Sequence, residues 1–283
     1  MFVDKLRRRW TETDSLLCIG LDPAPERFPE PWRGRSDAIF EFNRAIIDAT
    51  ADLVCAYKPQ VAHYAACGAE DQLVATIEYL QERHPAVGIL LDAKRGDTGA
   101  TAERYAREAF DRYRADAVTV NPYMGHDAIE PFLARADKGV VVLCRTSNPS
   151  AQTFQDLNVD GKPLYLRVAE EAVLRWNTHG NVLLVVGATF PRALRELRAF
   201  APHVPFLVPG VGAQGASVAD AVENGQDASG TGILISTSRA VLYASTGSDF
   251  AAAARHTAEA LKREINQARR PRRPSGAEAR AQA

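Results

Sequence analysis

Eight short apolar segments alternate with amphipathic helical ones along the chain, which predicts a single (β/α)8 TIM barrel of the α/β class. Three observations carry this prediction. The apolar runs are mostly continuous rather than alternating, as strands covered on both faces must be. Helical patterns separate them. Polar and charged residues cluster just after the runs, at the strand ends where such barrels place their active sites. A doubly wound open sheet is the structural alternative, but it does not explain that clustering at so many run ends.

The elements follow in order. In MFVDKLRRRW, Phe2, Leu6 and Trp10 recur at four-residue intervals, which predicts a short amphipathic helix docked on the body. Arg7, Arg8 and Arg9 read as its solvated face. The apolar runs are residues 16–21, 53–57, 87–91, 117–120, 139–144, 181–187, 204–208 and 232–235. Helical patterns lie at 39–50, 71–83, 101–114, 164–176 and 193–200. The longest irregular stretch is 146–163, and a loop of that length in a compact domain is expected to be functional or disordered. Residues 262–283 carry seven basic and two acidic side chains and read RRPRRP at 269–274. They are expected to form a disordered basic tail behind a barrel domain of residues 1–261. A solvated tail is the reading preferred over a nucleic-acid arm.

Composition narrows the class of protein. Of 283 residues, 46% are hydrophobic and 24% charged, a soluble globular balance that excludes disorder for the bulk of the chain. The net charge of -1 provides no global field to gather nucleic acid. No apolar run approaches the ~20 residues of a membrane helix, and no apolar stretch follows the basic N-terminus as in a secretory signal. Cysteines stand at 18, 55, 67 and 144 with no C-x-x-C, and three of them fall in apolar runs. A reduced, cytoplasmic protein is expected.

Chemistry is sought in the first residues after each run. Asp22 follows the first, in GLDP, and Lys58 and Gln60 follow the second, in YKPQ. The third continues into DAKRGD, with Asp92, Lys94 and Asp97. Strand alternation puts Asp92 and Lys94 on one face, toward the barrel mouth where Lys58 also arrives. Charges crowded in a partly dry site keep one another ionised. The segment PGVGAQGAS at 209–217 is a glycine-rich loop after the seventh run, and Arg239 follows the eighth. Bare amides and a guanidinium at those two positions form the usual phosphate grip of barrels. The fifth run ends in RTSNP, with Thr146 and Ser147. No metal site is expected, because the six histidines form no H-E-x-x-H and no cysteine pair has zinc spacing. Nor is there a G-x-S-x-G nucleophile or a dinucleotide fingerprint.

In order and content, GLDP, YKPQ, LDAKRGD, RTSNP, PGVGAQG and the final arginine resemble the orotidine 5′-phosphate decarboxylases, in the longer bacterial branch (type 2) that carries LDAKRGD. The likeness runs from about residue 16 to 243. It implies decarboxylation of orotidine 5′-phosphate to UMP without a cofactor, the last step of pyrimidine nucleotide synthesis. It implies a charged tetrad of Lys58, Asp92, Lys94 and Asp97, with Lys94 as proton donor. It implies a homodimer in which Asp97 and Thr101 reach the partner's site. Asp22 and Thr101 match ribose contacts, and Gln60 is placed to assist on the ribose side. Ser147 matches the contact to the pyrimidine edge, a job that Thr146 could also take. Pro209, Gln214 and Arg239 match the pocket wall and phosphate contacts, and the loops 146–163 and 211–219 are expected to close over substrate. The sequence departs from the pattern at Thr98, where an apolar residue is commoner, which bears on packing beside the substrate carboxylate. Two other readings compete. One is a magnesium-dependent sugar-phosphate aldolase or decarboxylase on the same barrel, which needs an acid where this chain has Lys58. The other is a non-catalytic phosphate-ligand sensor, which has no use for costly crowded charges.

Overall fold

The eight apolar runs form eight parallel strands in a computed structural model that describes residues 1–212 and 215–269. They are β1 (Leu17–Leu21), β2 (Ala56–Pro59), β3 (Gly88–Arg95), β4 (Ala117–Val120), β5 (Gly139–Arg145), β6 (Val182–Val186), β7 (Phe206–Pro209) and β8 (Ile233–Thr237). Each pairs with its neighbours in sequence, and β8 returns to β1 to close the barrel. β1, β2, β4, β6 and β8 are buried at every position. Their inner faces fill the barrel and their outer faces carry helices, which is why the runs are continuous in sequence.

Helices at Ala38–Thr50, Glu70–Arg83, Gly99–Arg107, Leu164–Glu170 and Pro191–Phe200 occupy the amphipathic segments. Shorter ones, such as Val61–Ala65 and Arg239–Leu242, are too brief for a periodic pattern to register over a window of ~11 residues.

The N-terminal helix, Phe2–Thr13, closes the bottom of the barrel with Phe2, Val3, Leu6 and Trp10 buried. A β-carbon at Gly139 would stand 2.3 Å from the Phe2 ring, and one at Gly88 would stand 3.2 Å from it. Gly88 pairs with Ala56 and Gly139 with Ala117. These small residues at the strand starts leave the opening that the ring fills, a burial contributing about 1.5–3 kcal/mol. Arg9 departs from the expected solvated face. Its guanidinium donates to the carbonyls of Val54, at 3.0 Å, and Ala51, just past the end of the Ala38–Thr50 helix. Unsatisfied carbonyls at a helix end attract such a cation.

Two expectations need correction. The stretch 146–163 is not irregular: it holds a helical turn at Gln152–Gln155 and a two-stranded ribbon pairing Asn158–Val159 with Lys162–Pro163. The fully buried Arg145 organises it, with its Nε 2.9 Å from Asp156 Oδ1 and its guanidinium 3.5 Å from the Phe190 ring centroid. The tail does not begin at residue 262 either. The last helix runs Phe250–Ala268 and buries Phe250, Ala254, Ala258 and Ile265. Arg269 then donates to Gly230 O at 2.8 Å and pairs with Asp14 at 2.7 Å. Alanines make the apolar stripe too weak to stand out against the charges around it. The rest of the expected tail lies outside the described residues. Among the described residues no helix is long and apolar enough to cross a membrane.

Candidate active site

Strand register assembles the site at the carboxyl ends of the strands. Gly20 pairs with Lys58, which sets Lys58 beside the GLDP turn, and Gln60 bridges to Asp92, which sets the two following strands level. Lys58 Nζ lies 2.9 Å from Asp92 Oδ2 and 3.9 Å from Asp22 Oδ1. Lys94 Nζ lies 2.6 Å from Asp92 Oδ1. Lys58 and Asp92 are each 6% exposed, so the pair sits in the barrel rather than on it.

Burial alone would raise the Asp92 carboxyl. The charges of Lys58 and Lys94 and their hydrogen bonds outweigh it and hold the group well below the usual carboxylate range. Burial would likewise lower Lys58, but Asp92 and Asp22 outweigh it and hold the ammonium above its ordinary value. Lys58 and Asp92 therefore hold each other ionised at neutral pH.

A cavity of about 530 Å³ opens above these charges. Asp22, Lys58, Gln60, Asp92, Lys94, Thr146, Ser147, Pro209 and Arg239 all line it. So nine of the twelve residues expected from sequence are brought together. Asp97 and Thr101 are not among the lining residues. The Asp97 carboxylate instead accepts the Thr98 amide at 2.8 Å, and Thr101 is exposed on the helix that follows. Thr98 also stays out of the cavity, at the head of that helix. Gln214 lies outside the described residues.

Each end of the cavity has its own chemistry. Gly210 and Gly212 adopt φ of 100 and 71, left-handed values that favour glycine and account for the glycine-rich loop after β7. The Arg239 guanidinium, exposed at the rim, makes no hydrogen bond or ion pair among the described residues. At the β5 end, Thr146 is committed. Its hydroxyl donates to Asn148 Oδ1 at 2.7 Å and accepts from Gln155 Nε2 at 2.9 Å. The Ser147 hydroxyl has no partner among the described residues.

Sequence reasoning missed several contributors. Thr119 stands inside the buried strand β4 with its hydroxyl 2.9 Å from Asp92 Oδ1. Its signal was a lone polar residue in the run AVTV. Asn148, in the RTSNP segment but not singled out, lines the cavity, as does Gln155 from the stretch beyond it that carried no recognisable pattern. Tyr243 donates to Asp22 O at 3.1 Å and accepts from Ala24 N at 2.7 Å, tying the GLDP turn to the helix that begins at Arg239.

Closed barrel, buried charged cluster and a rim carrying glycines and an arginine together define a (β/α)8-barrel enzyme. Residues 15–255 match the family described as orotidine 5′-phosphate decarboxylase / HUMPS, and the chain belongs to that family. It is 56% identical over 265 residues to the orotidine 5′-phosphate decarboxylase of Azoarcus sp., covering 94% of this chain and 98% of that one. It is 56% identical over 268 residues to the enzyme of Ralstonia pickettii, covering 95% and 99%. Among solved structures, Leishmania donovani OMP decarboxylase superposes with a TM-score of 0.83 at 40% identity, covering 94% of this chain and 98% of that one.

Proposed function

We propose that the cavity decarboxylates orotidine 5′-phosphate to UMP and CO2 without a cofactor, as the last step of pyrimidine nucleotide synthesis. The observation that carries the reading is a buried Asp92 held between two ammonium groups, one of them on the half-exposed Lys94 at the cavity wall. Breaking the bond from C6 to the carboxylate leaves an electron pair on a carbon with no conjugated sink. The enzyme has to remove something like ~23 kcal/mol of barrier. In this reading the substrate carboxylate stands beside Asp92, and departure of CO2 relieves their repulsion. The Lys94 ammonium stabilises the developing carbanion and gives its proton to C6. Lys58 keeps Asp92 ionised throughout.

Binding is divided along the cavity. The phosphate goes to Arg239 and the loop after β7, with Gln214 assigned there by resemblance. Pro209 forms the pocket wall, and Asp22 and Gln60 take the ribose side. Ser147 reads the pyrimidine edge rather than Thr146, because the Thr146 hydroxyl is already occupied. Asp97 and Thr101 serve the partner's site in a homodimer. Support comes from their absence from their own cavity and from the exposed Tyr123 and Met124 nearby. The amide of Asn121, two residues before Tyr123, donates to Arg95 O at 2.7 Å, which holds that loop against the Asp97 segment. Cytoplasmic residence belongs to the same reading, since Cys18, Cys55 and Cys144 are buried free thiols.

The test is loss of orotidine 5′-phosphate absorbance with purified protein, before and after exhaustive EDTA treatment. Undiminished turnover after chelation is expected, and loss restored by Mg²⁺ points instead to the aldolase-like chemistry. Lys94→Ala is expected to lower kcat by more than about 1000-fold with the fold intact, because no other group is placed to supply the proton. A variant retaining a tenth of kcat removes Lys94 from that role.

A further inference from the structure

Between their paired positions, β3 carries two more residues than β4. Leu91 lies opposite Val118, and Arg95 lies opposite Val120. Asp92, Ala93 and Lys94 therefore all face Thr119. A bulge of this kind leaves backbone amides without a carbonyl on the neighbouring strand. Here the Thr119 hydroxyl takes the place of that carbonyl. Its oxygen accepts from Ala93 N at 3.0 Å and from Lys94 N at 2.9 Å.

A hydroxyl has two lone pairs and one proton. With both lone pairs facing amide donors, the proton is directed to Asp92 Oδ1, 2.9 Å away. Every bonding capacity of the group is used, and at 1% exposure no bulk water replaces it. The residue held this way is Lys94, whose φ of 48 places a non-glycine residue in the left-handed region. Such a conformation persists only where the surroundings over-determine it.

We infer that Thr119 is a positioning residue for the decarboxylation. It sets the bulge from which Lys94 reaches the reacting carbon, and it completes the set of donors around Asp92. The inference rests on the roles given above to Lys94 and Asp92. Threonine suits the position for two reasons. Its branched β-carbon fits a buried strand, and its hydroxyl supplies what the bulge lacks. Valine keeps the shape and removes the chemistry.

The experiment compares Thr119→Val, Thr119→Ser and Lys94→Ala, with kcat expressed per site counted by calorimetric titration with UMP. Damage to the fold alone lowers the number of sites and leaves kcat per site unchanged. Thr119→Val is expected to lower kcat per site by about 10- to 100-fold, the cost of orphaned buried donors. The KM for orotidine 5′-phosphate and the Kd for UMP are expected to stay within about threefold, because phosphate and ribose contacts are remote from the bulge. Thr119→Ser, which restores the hydroxyl, is expected to stay within about threefold of the native kcat. Native kcat per site in Thr119→Val overturns the inference, as does a serine variant as slow as the valine one. Should Thr119→Val not fold, Thr119→Ala against Thr119→Ser makes the same comparison without added bulk. An inactive Lys94→Ala beside a full-speed Thr119→Val removes only the role of Thr119. An active Lys94→Ala removes the reading on which it rests.

Discussion

Gly187 lies against the backbone of Ser147: a β-carbon at position 187 would stand 2.7 Å from Ser147 Cα and 2.8 Å from its amide nitrogen. The glycine follows β6, and its own amide donates to Arg145 O at 2.7 Å. Thr189 then donates to Ser147 O at 3.0 Å. The ends of β5 and β6 are thus sewn together where Ser147 meets the cavity.

Gly187→Ala is therefore expected to push Ser147 out of place, since backbone atoms yield less readily than a side chain. Overpacking of this kind costs about 1–3 kcal/mol, and the displaced hydroxyl lowers kcat/KM by about tenfold or more. Thermal melting and steady-state kinetics check both. A variant with native kcat/KM shows that Ser147 does not need this placement.

Asp92→Asn tests the electrostatics through stability. In the native protein the Asp92 carboxyl is held down, so its contribution is present above its ordinary 3.8 and lost as pH falls through the depressed value. Lys58 is held up, so its contribution is present below its ordinary 10.5 and lost as pH rises through the raised value. Between those limits the pair adds no pH dependence. With asparagine at 92, burial of Lys58 is opposed chiefly by Asp22 at 3.9 Å, and the folded-state value is expected to drop below the unfolded one. The unfolded state then binds more protons, so stability rises as pH climbs from neutral toward the ordinary 10.5 of Lys58, by up to ~1.4 kcal/mol per unit. Urea melts at the two ends of that range check the slope. Parallel shifts in native and variant proteins refute it.

Arg239→Ala is expected to raise KM and lower kcat, by about 100-fold or more in kcat/KM. Phosphate binding energy is used at the distant carbon, so its loss is felt in both constants. The melting temperature is expected to stay put, because the exposed guanidinium holds nothing else in place. Unchanged kcat/KM shows that the phosphate is gripped elsewhere.

Subunit complementation tests the shared site. Lys94→Ala and Asp97→Ala proteins, each inactive, are unfolded and refolded together in equal amounts. A mixed dimer has one site with both defects and one with none. Random pairing makes about half the dimers mixed, so roughly a quarter of native activity returns. If both residues serve one chain's own site, every site keeps a lesion. Verified mixed dimers without activity refute the sharing and leave the decarboxylation untouched.

Much of this protein is determined by local sequence. The barrel is legible because a strand buried on both faces has to be apolar throughout, and eight such runs occur. Most of the site is legible because barrel chemistry sits at the carboxyl ends of the strands, where Lys58, Asp92, Lys94 and Arg239 stand out by charge. Tertiary structure decided what depends on register and burial. Alternation suggested that Asp92 and Lys94 share a face, but they meet through a bulge at Lys94 that only the pairing of β3 with β4 creates. Thr119 became part of the site through that pairing, and Arg145 became the buried anchor of its loop through Asp156 and Phe190. The last helix extends past residue 262 because its small alanines pack closely, a fit that a hydropathy pattern does not register. Charge and period are properties of neighbours in the chain. Register, burial and hydrogen-bond satisfaction depend on partners distant in sequence, and they exist only once the barrel has closed.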